Sequence, residues 1–263
     1  KGDRIIDRPL ADIGGKGLFL KELEWALLED RADIAVHSMK DVPAEMPDGL
    51  TIETVLERAD ARDALLCRDE LVLDSLPAGS VVGTSSLRRQ CQLRATRPDL
   101  QVADLRGNVD TRIAKLQNGE YDAIILAAAG LQRLGLDSHI SQILASPDWL
   151  PAATQGIIGI QQRANDAQIS ARLNCLNHLQ TMQVCLAERR VAQRLEASCQ
   201  LPIAVHAELS GDMDVRALVG SPDGRQIIRA HATGAASEGQ ALGDQVAQEL
   251  LDNGAQGIIS ALN

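Results

Sequence analysis

Two adjacent arginines, Arg88 and Arg89, are the first candidates for chemistry in this sequence. They follow the small hydroxyl residues 84–86, between a predicted strand and a predicted helix, where free backbone N–H groups can bind an anion. Two guanidinium groups at such a turn are suited to carboxylates. A serine N-cap with two solvated arginines is the alternative, but arginine near a helix N-terminus opposes the helix dipole, which favours an anionic ligand.

A second predicted strand-to-helix junction carries Arg106 and Arg112 on either side of Asn108. Asn108 can cap the helix, and Arg112 then lies one turn inside it on a neighbouring face. Capping with surface charge is the alternative. Because the two junctions follow neighbouring predicted strands, each supports an anion site at the other.

A polar cluster after a third predicted strand supplies a carboxylate. Asp41 follows Ser38 and Lys40, and Pro43 requires an extended chain before it. A carboxylate near several arginines can stabilise a developing cation or transfer a proton. A surface aspartate paired with Lys40 is the alternative.

Cys199 lies on a predicted loop of small residues between a long helix and a strand. A thiol there can act as a nucleophile or as an attachment point, although most lone cysteines are buried and unreactive. The five cysteines form an odd set without a C-x-x-C pair. This favours a reducing compartment over a disulfide or zinc framework, and we expect no metal.

Strands and helices alternate through the part of the chain that must hold the first three clusters. Residues 4–17 are rich in Gly, Asp and Pro and predict a loop, and helical spacing predicts a helix over 18–29. Strands are predicted over 32–36, 80–83, 102–105 and 121–127, with helices after the last three. The alternation predicts a parallel, doubly wound sheet, in which ligands bind beyond the carboxyl ends of the strands.

The pattern changes near residue 150. A strand is predicted over 155–160 and a long helix over 176–195. Three alternating strands and a closing amphipathic helix are predicted over 205–209, 215–219, 226–230 and 240–251. We expect this last part to be a separate small α+β domain with an antiparallel sheet.

Composition excludes several classes of partner. The formal net charge of −10 argues against non-specific binding to nucleic acid or to anionic membranes. Aromatic residues make up 2%, too few to stack single-stranded bases. The sequence has neither an apolar run long enough to span a membrane nor a signal-peptide pattern at Lys1. We expect a cytoplasmic protein with neither nucleic acid nor membrane as partner.

Taken together, the chain resembles the porphobilinogen deaminase (hydroxymethylbilane synthase) family. The matching stretches keep the family's order along essentially the whole chain, and they are residues 14–19, 21–24, 32–43, 83–90, 105–109 and 118–127.

The resemblance implies a transferase of tetrapyrrole and heme biosynthesis. Such enzymes join four porphobilinogen molecules head to tail, release ammonia at each step and liberate hydroxymethylbilane. The family carries a covalent dipyrromethane cofactor on a cysteine thioether, and Cys199 matches that cysteine. Asp41 matches the catalytic aspartate. The resemblance further implies a monomer, cofactor contacts from Ser38, Lys40, Thr84, Ser86, Arg88, Arg89, Arg106 and Gly130, and substrate contacts from Lys16, Arg112 and Gln155.

The fold implied by the resemblance is α/β, with two doubly wound domains similar to periplasmic binding proteins and a small α+β C-terminal domain. That last domain has a three-stranded antiparallel sheet and bears the cofactor. The boundaries are 1–57 with 156–175 for the first domain, 62–150 for the second and 178–263 for the third.

The chain departs from the family pattern at several points. Family members have roughly forty more residues before Lys1, about one strand–helix–strand unit, so we expect the first domain to be short of strands. Thr154, Gln161 and the pair 197–198 stand where the family has Gly, Glu and two Gly. A threonine at a backbone position that requires positive φ would cost stability. An inactive truncated family member and a two-domain carboxylate-binding protein stay open as alternatives.

Overall fold

The computed structural model describes residues 15–197 and 201–262, with side chains from residue 20 onward. The described α-helices are α1 (Gly15–Leu28), α2 (Leu87–Thr96), α3 (Val109–Gln117), α4 (Ala128–Arg133), α5 (Ala167–Leu173), α6 (Leu179–Arg194), α7 (Gly239–Asp252) and α8 (Ala255–Ser260). The described strands are β1 (Ala35–Ser38), β2 (Leu50–Val55), β3 (Asp63–Cys67), β4 (Val81–Gly83), β5 (Gln101–Ala103), β6 (Ala123–Ala127), β7 (Gln142–Leu144), β8 (Ile158–Arg163), β9 (Ile203–Ser210), β10 (Asp212–Gly220) and β11 (Ile227–Gly234).

The first sheet has the strand order β1-β8-β2, and both of its pairings are antiparallel. Helix α1 packs on it through Leu27, which shares a small core with Ala35 and Leu50. The predicted loop over 4–17 is wrong at its end, because residues 15–17 form the first turn of α1. The glycines at that turn favoured a loop, but the apolar spacing one turn later extends back through them.

The second sheet has five strands in the order β5-β4-β6-β3-β7. Its apolar residues alternate between two faces: Leu65 and Ile125 pack with Leu93 of α2, whereas Leu66 and Ile124 pack with Ile113 of α3. Helices therefore cover both faces, and the predicted α/β class is confirmed.

Strand direction in this sheet differs from the prediction. Strands β4, β5 and β6 are parallel, but β3 and β7 are antiparallel to their partners. The reason lies in the connections. No α-helix separates β3 from β4, so no helical crossover forces those two strands to run parallel.

The C-terminal sheet is the antiparallel meander β9-β10-β11, as predicted. Gly211, with φ of +88°, forms the tight turn between β9 and β10. Helices α6 and α7 cover one face, where Val191 and Val246 join the core around Val215. On the other face Leu218 packs against Cys91 of α2, so this sheet is docked on the helix that carries the arginine pair.

Two chain segments connect the first sheet to the five-stranded sheet. Residues 56–62 lead from β2 to β3, and residues 145–157 lead from β7 to β8. The segments bond to each other, since Ala59 N donates to Gly156 O at 3.1 Å. None of the described helices combines the length and the apolar character that a membrane crossing requires.

Candidate active site

A buried carboxylate, Asp63, organises the site. It is the first residue of β3 and has no exposed surface. Its Oδ2 accepts hydrogen bonds from Arg88 Nη1 at 2.7 Å and from Trp149 Nε1 at 2.8 Å. Its Oδ1 accepts from Arg89 Nη2 at 2.7 Å and from Gln155 Nε2 at 2.9 Å. Donors from α2 and from the segment 145–157 therefore meet on one carboxylate.

Helix α2 places the arginine pair because it begins directly after β4. Gly83 lets this junction pass close to Tyr121, whose ring would lie 2.8 Å from any Cβ at position 83. Arg88 and Arg89 fall in the first turn, with 4% and 7% of their surface exposed. The α2 backbone thus directs both guanidinium groups into the end of the sheet and not into solvent.

Each arginine also bonds a backbone carbonyl. Arg88 Nη1 donates to Leu150 O at 2.8 Å, and Arg89 Nη1 donates to Ile125 O at 3.0 Å. Among the described residues, Arg89 Nε has no hydrogen-bond partner although it is buried. Arg88 is thus engaged with its surroundings, while Arg89 keeps a buried donor that a ligand oxygen would satisfy.

Positive charge exceeds negative charge around Asp63. Burial alone would raise the pKa of Asp63, but Arg88 and Arg89 hold it well below its ordinary value. Lys40 Nζ lies 3.4 Å from Gln155 Oε1. Burial and then the charge of Arg89 lower the pKa of Lys40 to about 8, against the opposing effect of Asp41 and Asp63. At neutral pH the described part of this cluster therefore suits an anionic ligand.

Asp41 lies at the end of a 3-10 turn, Met39–Asp41, that follows β1. Met39 and Val42 on either side of it are buried, whereas the carboxylate-bearing Asp41 is partly exposed. Ser38, the last residue of β1, is also partly exposed. This turn brings Lys40 within 3.4 Å of Gln155, which itself bonds Asp63.

The second arginine junction is built as the sequence predicts. Asn108 caps α3, since its Oδ1 accepts from Thr111 N at 2.8 Å. Arg112 Nε donates to Gly107 O at 2.7 Å. Burial and then the positive charge of Arg89 lower the pKa of Arg112. Arg106 is exposed.

Three further predicted residues line the same end of the sheet. Thr84 is buried, and its Oγ1 accepts from Ser86 N at 3.3 Å. The Ser86 hydroxyl makes no capping bond within the described part of α2. Gly130 lies in α4, where a Cβ would meet no described atom within 4 Å, so the space beside it is open.

Gln155, which we expected to contact substrate, is 1% exposed and joins the segments between the sheets. Its Nε2 donates to Ala61 O at 2.7 Å as well as to Asp63. Its backbone O accepts from Arg58 Nε at 3.0 Å. In this structure Gln155 therefore links Asp63, Lys40 and Arg58.

A second buried carboxylate, Glu188 of α6, lies beyond Gln155. Arg58 forks onto it, with Nη1 to Oε1 at 2.7 Å and Nη2 to Oε2 at 3.3 Å. The backbone N–H groups of Ala207 (2.7 Å) and Thr154 also donate to it. Burial would raise the pKa of Glu188, but Arg58 and then His206 hold it below its ordinary value.

The departures from the family pattern have structural consequences. Thr154 has φ of +59°, so this position does have the positive φ that disfavours a threonine. Gln161 is fully buried and pairs through Oε1 with His37 Nε2 at 2.8 Å. Its Nε2 has no hydrogen-bond partner among the described residues.

Neither of the two buried carboxylates was predicted from the sequence. The available signal was weak: Asp63 opens a strand of otherwise apolar residues, whereas Glu188, although buried, stands directly before two arginines in α6. Two predicted residues cannot be placed, because Cys199 and the side chain of Lys16 lie outside the described residues.

Several solved structures resemble parts of this chain. The VFT2 domain of Bordetella pertussis BvgS (double mutant) is 19% identical over 59% of this chain and 65% of that chain, with a TM-score of 0.35. YhfZ from Shigella flexneri is 20% identical over 68% and 80%, with a TM-score of 0.32. An arginine-specific periplasmic binding protein from Salmonella typhimurium is 14% identical over 59% and 69%, with a TM-score of 0.35. All three are partial matches, so the assignment rests on family models.

Two family models match the sequence. The model described as porphobilinogen deaminase, dipyromethane cofactor binding domain, matches residues 1–171, which is more than half of the 263 residues. The model described as porphobilinogen deaminase, C-terminal domain, matches residues 182–252. The two matches follow each other in the chain, and the chain belongs to the porphobilinogen deaminase family.

Proposed function

We propose that this protein condenses four porphobilinogen molecules head to tail into hydroxymethylbilane, with release of one ammonia per molecule joined. Membership of the family supports a role in tetrapyrrole biosynthesis by pyrrole polymerisation. The observation that carries the specific reaction is the positive excess around Asp63, next to the Asp41 carboxylate. Each pyrrole unit bears two carboxylates, so a growing chain is a polyanion that requires several fixed cations.

The residues present fit a dipyrromethane. Its carboxylates match Arg89 Nε, to which no described residue is bonded, and the charges of Lys40 and Arg112. We assign its attachment to Cys199 through a thioether. Further contacts come from Ser38, Thr84, Ser86, Arg88, Arg106 and Gly130, and substrate contacts from Lys16, Arg112 and Gln155. When bound, the group supplies the pyrrole carbon to which the first substrate is joined.

Asp41 acts as the catalytic residue. Loss of ammonia breaks the C–N bond of the substrate's aminomethyl group and leaves an azafulvene whose protonated form is a cation. The Asp41 carboxylate stabilises that cation electrostatically, and the fixed charges around it need no reorganisation during the step. When the new carbon–carbon bond forms, Asp41 would accept the proton that is released.

The arginines orient the reacting rings. Arg89 and Arg112 bind side-chain carboxylates. Arg88 donates to Asp63 and to Leu150 O, and these bonds fix the position of the Arg88–Arg89 pair. Lys40, with a pKa of about 8, carries a positive charge at neutral pH and contributes to carboxylate binding. Holding both rings in the correct orientation lowers the entropic cost of bringing them together in the reaction.

We also propose the arrangement of the whole molecule. The three described sheets support a division into residues 1–57 with 156–175, residues 62–150 and residues 178–263. We propose a monomer, and the biosynthetic role of the family supports its place in the cytoplasm.

The test of the proposed function is the mass of the intact protein. Protein purified from cells that supply porphobilinogen should carry the added mass of one dipyrromethane, and Cys199→Ser should not. Cys175→Ser is the matched control, because Cys175 is an exposed thiol that should be irrelevant to attachment. Acidified Ehrlich's reagent gives an independent colour test for the attached dipyrrole.

The alternatives predict other results. A carboxylate-binding protein would have the bare mass in all three forms and would bind its ligand equally well after Cys199→Ser. An inactive family member would carry no adduct or would carry one without turning over porphobilinogen. Bare wild-type mass, or an adduct that persists in Cys199→Ser, contradicts the proposal.

A further inference from the structure

Two side chains of α6 hold the segment that follows Asp41. Arg189 Nη2 donates to Pro43 O at 2.8 Å and to Ala44 O at 3.0 Å. Gln193 Nε2 also donates to Ala44 O, at 3.0 Å. Because residues four apart lie on one face of a helix, these two side chains form a single clamp on consecutive carbonyls.

The turn that carries Asp41 is fixed on both sides of that residue. Met39 N donates to Ile157 O at 3.0 Å, and Val42 N closes the turn by donating to Met39 O at 3.1 Å. The side chains of Met39 and Val42 are buried in the same core as Cys185 of α6. The backbone on both sides of Asp41 is therefore held by these two bonds and by the burial of Met39 and Val42.

Packing alone does not fill the space beneath this turn. A cavity of about 260 Å³ lies between the turn and α6, and Met39, Met46, Met182, Arg189 and Gln193 are among its lining residues. Methionine side chains adapt readily to such gaps and so define position weakly. If the clamp were lost, the segment over 42–46 would have room to move towards α6.

We propose that Arg189 and Gln193 are positioning residues for Asp41, which act by clamping the carbonyls of Pro43 and Ala44. This inference rests on the proposed function, in which Asp41 is the catalytic residue. Helix α6, which carries both clamp residues, ends at Arg194, and Cys199 lies ten residues beyond Arg189 in the sequence.

The same helix offers matched controls. Arg190 Nε bonds Asp244 Oδ1 of α7 at 2.8 Å, and Arg194 lies 3.5 Å from the same oxygen. Arg190→Met and Arg194→Met remove an arginine and an ion pair from α6 without touching residues 43–44. They should leave both turnover and the Asp41 turn unchanged.

The test variants are Arg189→Met and Gln193→Ala. Each should lower kcat about tenfold while KM changes by less than about twofold, because a misplaced catalytic group impairs the chemical step more than binding. Arg189→Lys keeps a donor and should recover most of the loss. Gln193 is exposed, so its variant tests the clamp even if Arg189→Met fails to fold.

Amide exchange gives a readout that needs no substrate. The Val42 amide should exchange about tenfold faster in Arg189→Met and Gln193→Ala, because its bond to Met39 O opens more often. If the Val42 amide exchanges at the wild-type rate in both variants, Arg189 and Gln193 do not hold this turn and the proposal is wrong. If the Val42 amide exchanges faster but kcat is unchanged, the clamp holds the turn without positioning Asp41 for catalysis. A wild-type protein that lacks turnover contradicts the proposed function instead, while Val42 exchange still decides whether the clamp exists.

Discussion

Asp63 and Glu188 are both fully buried carboxylates, and each accepts two hydrogen bonds from one forked arginine. They differ in what surrounds that pair. Asp63 has a second arginine and a nearby lysine, whereas Glu188 receives the backbone N–H groups of Thr154 and Ala207. Burial and hydrogen bonding alone therefore do not separate a structural ion pair from a binding site.

The surroundings of Asp63 and Glu188 differ in whether positive charge exceeds negative charge there. Glu188 pairs with Arg58 and lies 3.6 Å from His206, which itself pairs with a second carboxylate, Glu208, so the described cations here do not outnumber the carboxylates. Backbone donors complete the shell, which suits a connection between α6, β9 and the segment before β3. Around Asp63 the described cations outnumber the carboxylates, and one guanidinium nitrogen is left unsatisfied. We infer that a surplus of buried positive charge identifies where the acidic substrate binds.

Loss of either carboxylate should have the largest effect on stability. Asp63→Asn and Glu188→Gln each leave buried arginine without its counter-charge, which typically costs about 3–5 kcal/mol. Urea unfolding measures the change in the free energy of unfolding. Asp244→Asn, which breaks an exposed pair with Arg190, is the control and should cost less than about 1 kcal/mol. A loss below that level at Asp63 or Glu188 would contradict the description of both as buried ion pairs.

Conservative changes at the arginines should separate the two regions. Arg89→Lys removes the fork near the ligand and should lower kcat/KM about tenfold or more, since hydrogen bonds to charged groups contribute about 1.5–3 kcal/mol. Arg58→Lys weakens the Glu188 pair and should lower stability while kcat/KM stays within about threefold. Steady-state kinetics with porphobilinogen and urea unfolding together test this. If Arg58→Lys lowered kcat/KM instead, and Arg89→Lys lowered only stability, the distinction between the two regions would be wrong.

The pH dependence of kcat/KM should show whether the positive charge of Lys40 contributes to substrate binding. The pKa of Lys40 is lowered to about 8, so Lys40 loses its positive charge as the pH rises through about 8. We expect kcat/KM, which reports the free enzyme, to fall above that pH by up to about tenfold per unit. Lys40→Arg keeps the charge and should remove this alkaline limb. A limb that persists unchanged in Lys40→Arg would assign it to another group.

Thr154 should give the smallest effect, confined to the Glu188 region. A β-branched residue at φ of +59° is strained, and glycine relieves that strain whereas alanine does not. We therefore expect Thr154→Gly to be more stable than Thr154→Ala by about 1 kcal/mol. The comparison with alanine isolates the backbone effect from the lost side chain. Equal stabilities would show that the strain is negligible, and turnover should be the same in both variants.

Local features of the fold were predictable from the sequence. The long helix, the C-terminal meander and the Asn108 cap depend on residues close in sequence, and all three are present. Strands β2, β3 and β7 were missed, because short strands with uniform burial or weak alternation carry no period-two signal.

The site was predictable only in part, for a related reason. Sequence spacing identified the two arginine junctions, but for Arg88 and Arg89 it offered only an anion site or solvated surface charge. Their shared partner Asp63 lies about 25 residues away in sequence, and Arg58 lies 130 residues from Glu188. Partners that meet only through the tertiary fold leave no periodic signal, so the charge surplus became visible only in the structure.

The most direct test of the account is to observe the chain growing on the protein. Wild-type protein mixed with a small molar excess of porphobilinogen and quenched in acid should show, by intact-mass measurement, species spaced by one porphobilinogen less one ammonia. Cys199→Ser should show none, and Arg89→Lys should accumulate the early species. Turnover of porphobilinogen without any such series, or a series that survives in Cys199→Ser, would contradict the account.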